Sequence, residues 1–81
     1  MDLDKLKDVL DDILLSDYIN ISEYQDKYFF IKKLKNIFPG ASEDILYKSL
    51  DSTNSALPIP KKKKDFISSF IKEIKKQYNF V

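Results

Sequence analysis

Asp8, Asp11 and Asp12 come closest to a reactive cluster in this 81-residue chain. At helical spacing they share one face, where carboxylates can share a proton or bind a hard cation through oxygen. No neighbouring residues supply a fixed loop or cleft for them, and aspartates on a charged helix face are ordinarily solvated. The rest of the catalytic inventory is thin. The chain has no His, Cys or Trp, and no Arg either. Zinc fingers, thiol redox chemistry, cysteine nucleophiles and histidine triads are therefore excluded. Acid–base work near neutral pH would fall to carboxylates, Lys and Tyr, and a helical domain of this size offers little volume for a substrate pocket. The expectation is a protein that is not an enzyme and carries no metal or cofactor.

Two other features invite a chemical reading. Pro60-Lys61-Lys62-Lys63-Lys64 sets four ammonium groups side by side. Such a run can contact phosphate or an anionic membrane, or serve as a nuclear-import signal. A lysine run before a helix is also commonly a solvated linker. Phe29 is the second feature. On a helical wheel it falls among Gln25, Lys32, Lys33 and Asn36; a single Phe on a polar face is commonly incidental or tucked against a loop, and the other reading is an aromatic anchor at a protein interface. Tyr47, lying to one side of its own apolar stripe, extends that candidate patch.

The elements that must position these residues are all helical. Leu3, Leu6, Leu10 and Ile13, widened by Val9 and Leu14, predict a first helix over about 2–18. Asp2 and Asp4 suit its positive end. Ser22-Glu23-Tyr24-Gln25 has the capping-box pattern and starts a second helix over 22–37. Its apolar arc holds Tyr24, Tyr28, Phe30, Ile31, Leu34, Ile37 and Phe38. Pro39-Gly40 stops it, since Pro breaks the ladder and Gly permits positive φ. Ser42 caps a third helix over 42–55, with the stripe Leu46, Leu50, Thr53 and Leu57 and with fraying expected near Asn54. Pro58 and Pro60 close it. Phe66, Ile67, Phe70, Ile71, Ile74 and Tyr78 define the last helix, 65–79, with Asp65 as its cap and Lys61–Lys64 overhanging into solvent. No segment alternates with period two. The fold class is all-α, a small antiparallel four-helix bundle in one domain, 1–81.

Net charge is +1, but it conceals two unlike regions. Residues 1–26 carry eight acids and two lysines, a net of −6; residues 27–81 carry five acids and twelve lysines, a net of +7. Internal complementarity is the simplest reading, because the first and last helices of an up-down bundle are neighbours. The other reading is a charged face that steers a partner of opposite sign. DNA reading by helices 2 and 3 is disfavoured. The reading helix would present Glu43, Asp44 and Asp51 with only Lys48, and no Arg is available to grip guanine. The wide apolar arc of helix 2 exceeds what three neighbouring helices can cover, which favours a homodimer. No 18-residue apolar run occurs, and Met1 leads straight into Asp2-Leu3-Asp4, so the expected location is the cytoplasm. The weight of Ile, Lys, Asn, Tyr and Phe suggests AT-rich codons, as in a low-GC bacterium, its phage or plasmid, or an AT-rich eukaryote.

Around Ile37-Phe38-Pro39, followed by Ile45-Leu46 and Leu50, the chain resembles a CUE domain, the three-helix ubiquitin-binding module with a Met-Phe-Pro signature. That resemblance implies contact with ubiquitin through Ile37, Phe38 and Pro39; Ile stands in place of Met, and no di-leucine follows. Over Ser42 to Tyr78, the helix order and composition are similar to small bacteriocin-immunity proteins. They are cytosolic, lysine-rich four-helix bundles without catalytic residues. That likeness implies recognition through the last helix and C-terminus: Lys72, Lys75, Tyr78 and Phe80. The sequence reading is thus a non-enzymatic protein-interaction module, an inhibitor, immunity or accessory protein. The alternatives are a CUE-like ubiquitin binder and a nucleic-acid-associated protein using its basic C-terminal half.

Overall fold

Asp2 sets the first helix. Its Oδ1 accepts hydrogen bonds from the Asp4 and Lys5 amides at 3.0 and 3.2 Å, which satisfies two of the donors a helix start leaves open. The computed structural model describes residues 1–56, 58 and 60–78. Among these, four helices run in the order α1 (Leu3–Ile13), α2 (Tyr24–Ile37), α3 (Glu43–Ala56) and α4 (Lys63–Tyr78). Two short strands join them, β1 (Tyr18–Ile19) and β2 (Lys61–Lys62). The all-α expectation holds at the level of four helices, and the small sheet is an addition to it. No helix among the described residues is long and apolar enough to cross a membrane.

α1 ends at Ile13, not at Tyr18, because its chain turns extended at Leu14 (φ −90°, ψ 103°). Tyr18 and Ile19 then pair antiparallel with Lys62 and Lys61. The Lys63 amide donates to the Asp17 carbonyl at 2.8 Å, continuing the tie into α4. Period-two patterning cannot reveal strands of two residues, which is why none was expected. α2 starts at Tyr24, two residues later than the Ser22 motif predicts, and its Glu23 cap makes no side-chain hydrogen bond. The Ser22 hydroxyl donates instead to Asn20 Oδ1 at 2.8 Å, so the capping box does not form. At the other end Phe38 leaves the helix (φ −122°, ψ 73°), as steric conflict with a following proline requires. Gly40 is not left-handed, and a Cβ there would meet nothing within 4 Å. Pro39 alone accounts for the stop.

Ser42 caps α3 as expected, its Oγ accepting from the Ile45 amide at 3.3 Å. α3 extends to Ala56, through the turn at Asn54 where composition predicts fraying. Asn54 Nδ2 donates to the Ile21 carbonyl at 2.8 Å and pins this turn to the segment before α2. Leu57 lies outside the described residues. Small Ser49 and Thr53 are buried beside Leu46 and Leu50, which permits close backbone approach. α3 and α4 form the most extensive helix pair, and α1 packs on α4 and α2 on α3.

α4 begins at Lys63, ahead of the expected Asp65. Its Phe66 and Phe70 stack at 5.9 Å between ring centroids, and Phe30 of α2 meets both edge-on at 5.8 and 5.6 Å. These geometries suit the ring quadrupole, and each buried ring contributes about 1.5–3 kcal/mol from burial. Leu6, Leu10, Ile31, Leu34 and Ile74 complete the fully buried interior.

Candidate functional site

The outer side of α2 carries an aromatic surface. Tyr24 is 80% exposed, Phe29 56% and Tyr28 40%. Phe29 sits edge-on to Tyr28 with ring centroids 5.6 Å apart. The Lys32 ammonium lies 5.4 Å from the Tyr28 ring centroid and donates to its hydroxyl at 3.4 Å, at the hydroxyl edge of the ring. Tyr47 of α3 is half-buried against the core. Burial, then the Glu43 carboxylate, then the hydroxyls of Tyr24 and Tyr28 push its phenol above the ordinary value of 10.0. Lys27 and Asp51, 2.9 Å apart, tie α2 to α3.

Phe29 is exposed, as the wheel places it. The structure corrects the reading for Tyr24, Tyr28 and Ile37, which were assigned to the apolar arc; all three are exposed. Their hydropathy argued for the core. The usable signal was that Tyr carries a polar tip and tolerates a wet edge. Lys33 lines a hollow of about 320 Å³ with Phe29, Ile13 and Ile21, so the patch continues towards the end of α1.

The lysine run does not overhang as a unit. Lys61 is only 3% exposed and shares the inward face of the two-stranded ribbon with buried Ile19. Its Nζ has no hydrogen-bond partner among the described residues, and burial pushes the ammonium below the ordinary lysine value. Lys63 turns to α1, with its Nζ 2.6 Å from the Asp11 carbonyl oxygen and 3.4 Å from Asp11 Oδ1. That carbonyl belongs to the last turn of α1, which has no basic residue of its own. Lys63 thus supplies the cation favoured by a helix C-terminus. Lys62 and Lys64 remain exposed. The solvated-overhang expectation fails for Lys61 and Lys63 because β1 recruits the segment into the fold.

Asp8, Asp11 and Asp12 are exposed on α1, and no group of three acidic side chains among the described residues is arranged to hold a metal. On α4, Lys72 and Lys75 are exposed. Tyr78 is half-buried and accepts the Ser42 amide at 2.9 Å, joining the end of α4 to the start of α3. Phe80 lies outside the described residues. Of the CUE-like residues, Ile37 and Pro39 are exposed, while Phe38 is half-buried with the Lys5 ammonium 5.4 Å from its ring.

Compared with protein-family models, with curated proteins and with solved structures, the chain has no match in any of the three. The functional reading rests on the surface itself.

Proposed function

We propose that this chain is a non-enzymatic protein-interaction module that binds a partner protein through the aromatic face of α2. One observation carries the reading: Tyr24, Tyr28 and Phe29 are all exposed on α2, and the Tyr28 and Phe29 rings meet edge-on. Tyr is enriched at interface hot spots because its ring gives contact area at low entropic cost, inside a polar rim. Lys32 and Lys33 supply that rim, and Tyr47 extends it onto α3. The role that suits a small helical chain of this kind is a cytoplasmic inhibitor, immunity or accessory protein of a low-GC bacterium or its phage. The likeness to bacteriocin-immunity proteins supports that role, and a second copy of the chain is the simplest alternative occupant of the face.

The test is a comparison of wild type with Phe29→Ala and Tyr24→Ala as baits in extract from the source cells. Proteins retained by wild type and lost from both variants, at unchanged melting temperature, identify the partner. Equal retention by all three would remove α2 from the binding surface. The exposure of Ile37 and Pro39 keeps a ubiquitin-binding reading specific enough to test. Titration with ubiquitin should then shift the amides of Ile37 and Phe38, and silence there rejects it.

A further inference from the structure

Three hollows follow one another along the seam between α1 and α4. The first, about 500 Å³, lies at Leu3, Ile74 and Tyr78 and reaches Lys75. The second, about 300 Å³, shares Lys75 and continues over Ile71, Lys72 and Ser68 to Lys7. The third, about 690 Å³, shares Lys7, Ile67 and Ser68 with the second and ends at Lys62 and Lys64. Because each hollow shares lining residues with the next, they form one groove.

Its chemistry is uneven in a useful way. In the first two hollows every charged side chain is a lysine, Lys7, Lys72 or Lys75, and Met1 joins the lining of the first. Acids enter only at the far end, where Asp8, Asp11 and Asp17 meet Lys62, Lys63 and Lys64, and there Asp11 is already engaged by Lys63. Its accessible apolar lining comes from half-buried Leu3 and Ile71, with Ile67 and Ile74 themselves buried. A groove with an aliphatic floor and a cationic rim matches a ligand that is apolar on one side and anionic on the other. Nucleic acid fits it poorly, since a single strand asks for successive aromatic platforms, whereas Tyr78 and Tyr18 line only the two outer hollows and the middle one has no aromatic side chain.

We infer that the α1–α4 groove docks an acidic amphipathic helix of a partner protein, apolar face down and carboxylates towards Lys7, Lys64, Lys72 and Lys75. Lys64 to Lys75 covers about 16 Å along α4, so the groove accommodates about three helical turns. This surface is separate from the α2 aromatic face, and the two are separable by mutation.

The probe is a synthetic peptide of about 14 residues, leucine along one helical face and glutamate along the other. Titrated into the ¹⁵N-labelled full chain, it should shift the amides of Lys7, Ser68, Ile71 and Lys72 and leave those of α2 in place. Lys72→Glu with Lys75→Glu should weaken binding by at least about tenfold, while Phe29→Ala leaves it unchanged. Ser68→Trp, which fills the groove without altering charge, should weaken it similarly; circular dichroism confirms that each variant is folded. A peptide of identical composition but scrambled order should bind at least about tenfold more weakly. Equal binding of the scrambled peptide, or shifts centred on α2, overturns the inference. Tighter binding of anionic lipid vesicles or single-stranded DNA through the same lysines overturns it as well.

Discussion

Lys61 occupies a position where its charge works against the fold. Its stem packs beside Ile19 while its ammonium, withdrawn from water, has no hydrogen-bond partner among the described residues. A buried donor left unsatisfied costs about 1–3 kcal/mol, whereas the stem contributes as any apolar chain would. Lys61→Met keeps the stem and removes the charge, and it should stabilise the protein by a similar amount in urea denaturation at pH 7. The pH dependence has a definite sign. The folded-state value lies below the ordinary 10.5, so the folded chain releases this proton first and stability rises with pH across the interval between the two. The advantage of Lys61→Met over wild type should therefore shrink as pH approaches the ordinary lysine range. None of this is readable from four consecutive lysines. Burial at Lys61 comes from pairing with Ile19, a contact between distant parts of the chain, while the neighbouring Lys62 faces solvent as composition suggests.

Element ends divide into those fixed locally and those fixed from afar. Asp2, Ser42 and Pro39 act on their own neighbours; the sequence identifies Ser42 and Pro39 in these roles and places Asp2 in the first turn, where the structure makes it the cap. The end of α1 does not follow this pattern. Leu14 and Leu15 continue the apolar pattern, and nothing nearby forbids helix; the strand pairing and Lys63 end it from across the fold. Lys63→Met, which removes the ammonium from the Asp11 carbonyl, should cost about 0.5–1 kcal/mol and speed amide exchange in the last turn of α1. Asn54→Ala should cost about 1 kcal/mol by freeing the Ile21 carbonyl, with exchange accelerated at the C-terminal end of α3. Gly40→Ala should move stability the other way. Its backbone and surroundings accept a Cβ, and the loss of unfolded-state freedom stabilises by about 0.4–1 kcal/mol, readable as a rise in melting temperature.

Across the whole molecule, the apolar periodicities located the interior of α1 and α4 correctly but overstated that of α2. The reason is positional. α2 lies at one side of the helix array, against α3, and meets α4 chiefly through Phe30. A wheel counts apolar residues without knowing how many neighbours will cover them, so Tyr24 and Tyr28 looked like core. The same geometry makes two adjacent phenylalanines opposites. Phe30 is 6% exposed and bridges α2 to the stacked Phe66–Phe70 pair, while Phe29 is 56% exposed and touches Tyr28. Phe30→Ala removes the ring that joins α2 to α4 and leaves a cavity, at a cost of about 3–5 kcal/mol. For a domain of this size that is a large share of the total, which runs to about 5–15 kcal/mol in ordinary proteins. Phe29→Ala should stay within about 0.5 kcal/mol of wild type. Urea denaturation of both variants beside wild type measures the contrast directly. A large loss for Phe29→Ala would return that ring to the core and remove the aromatic face on which partner binding is proposed.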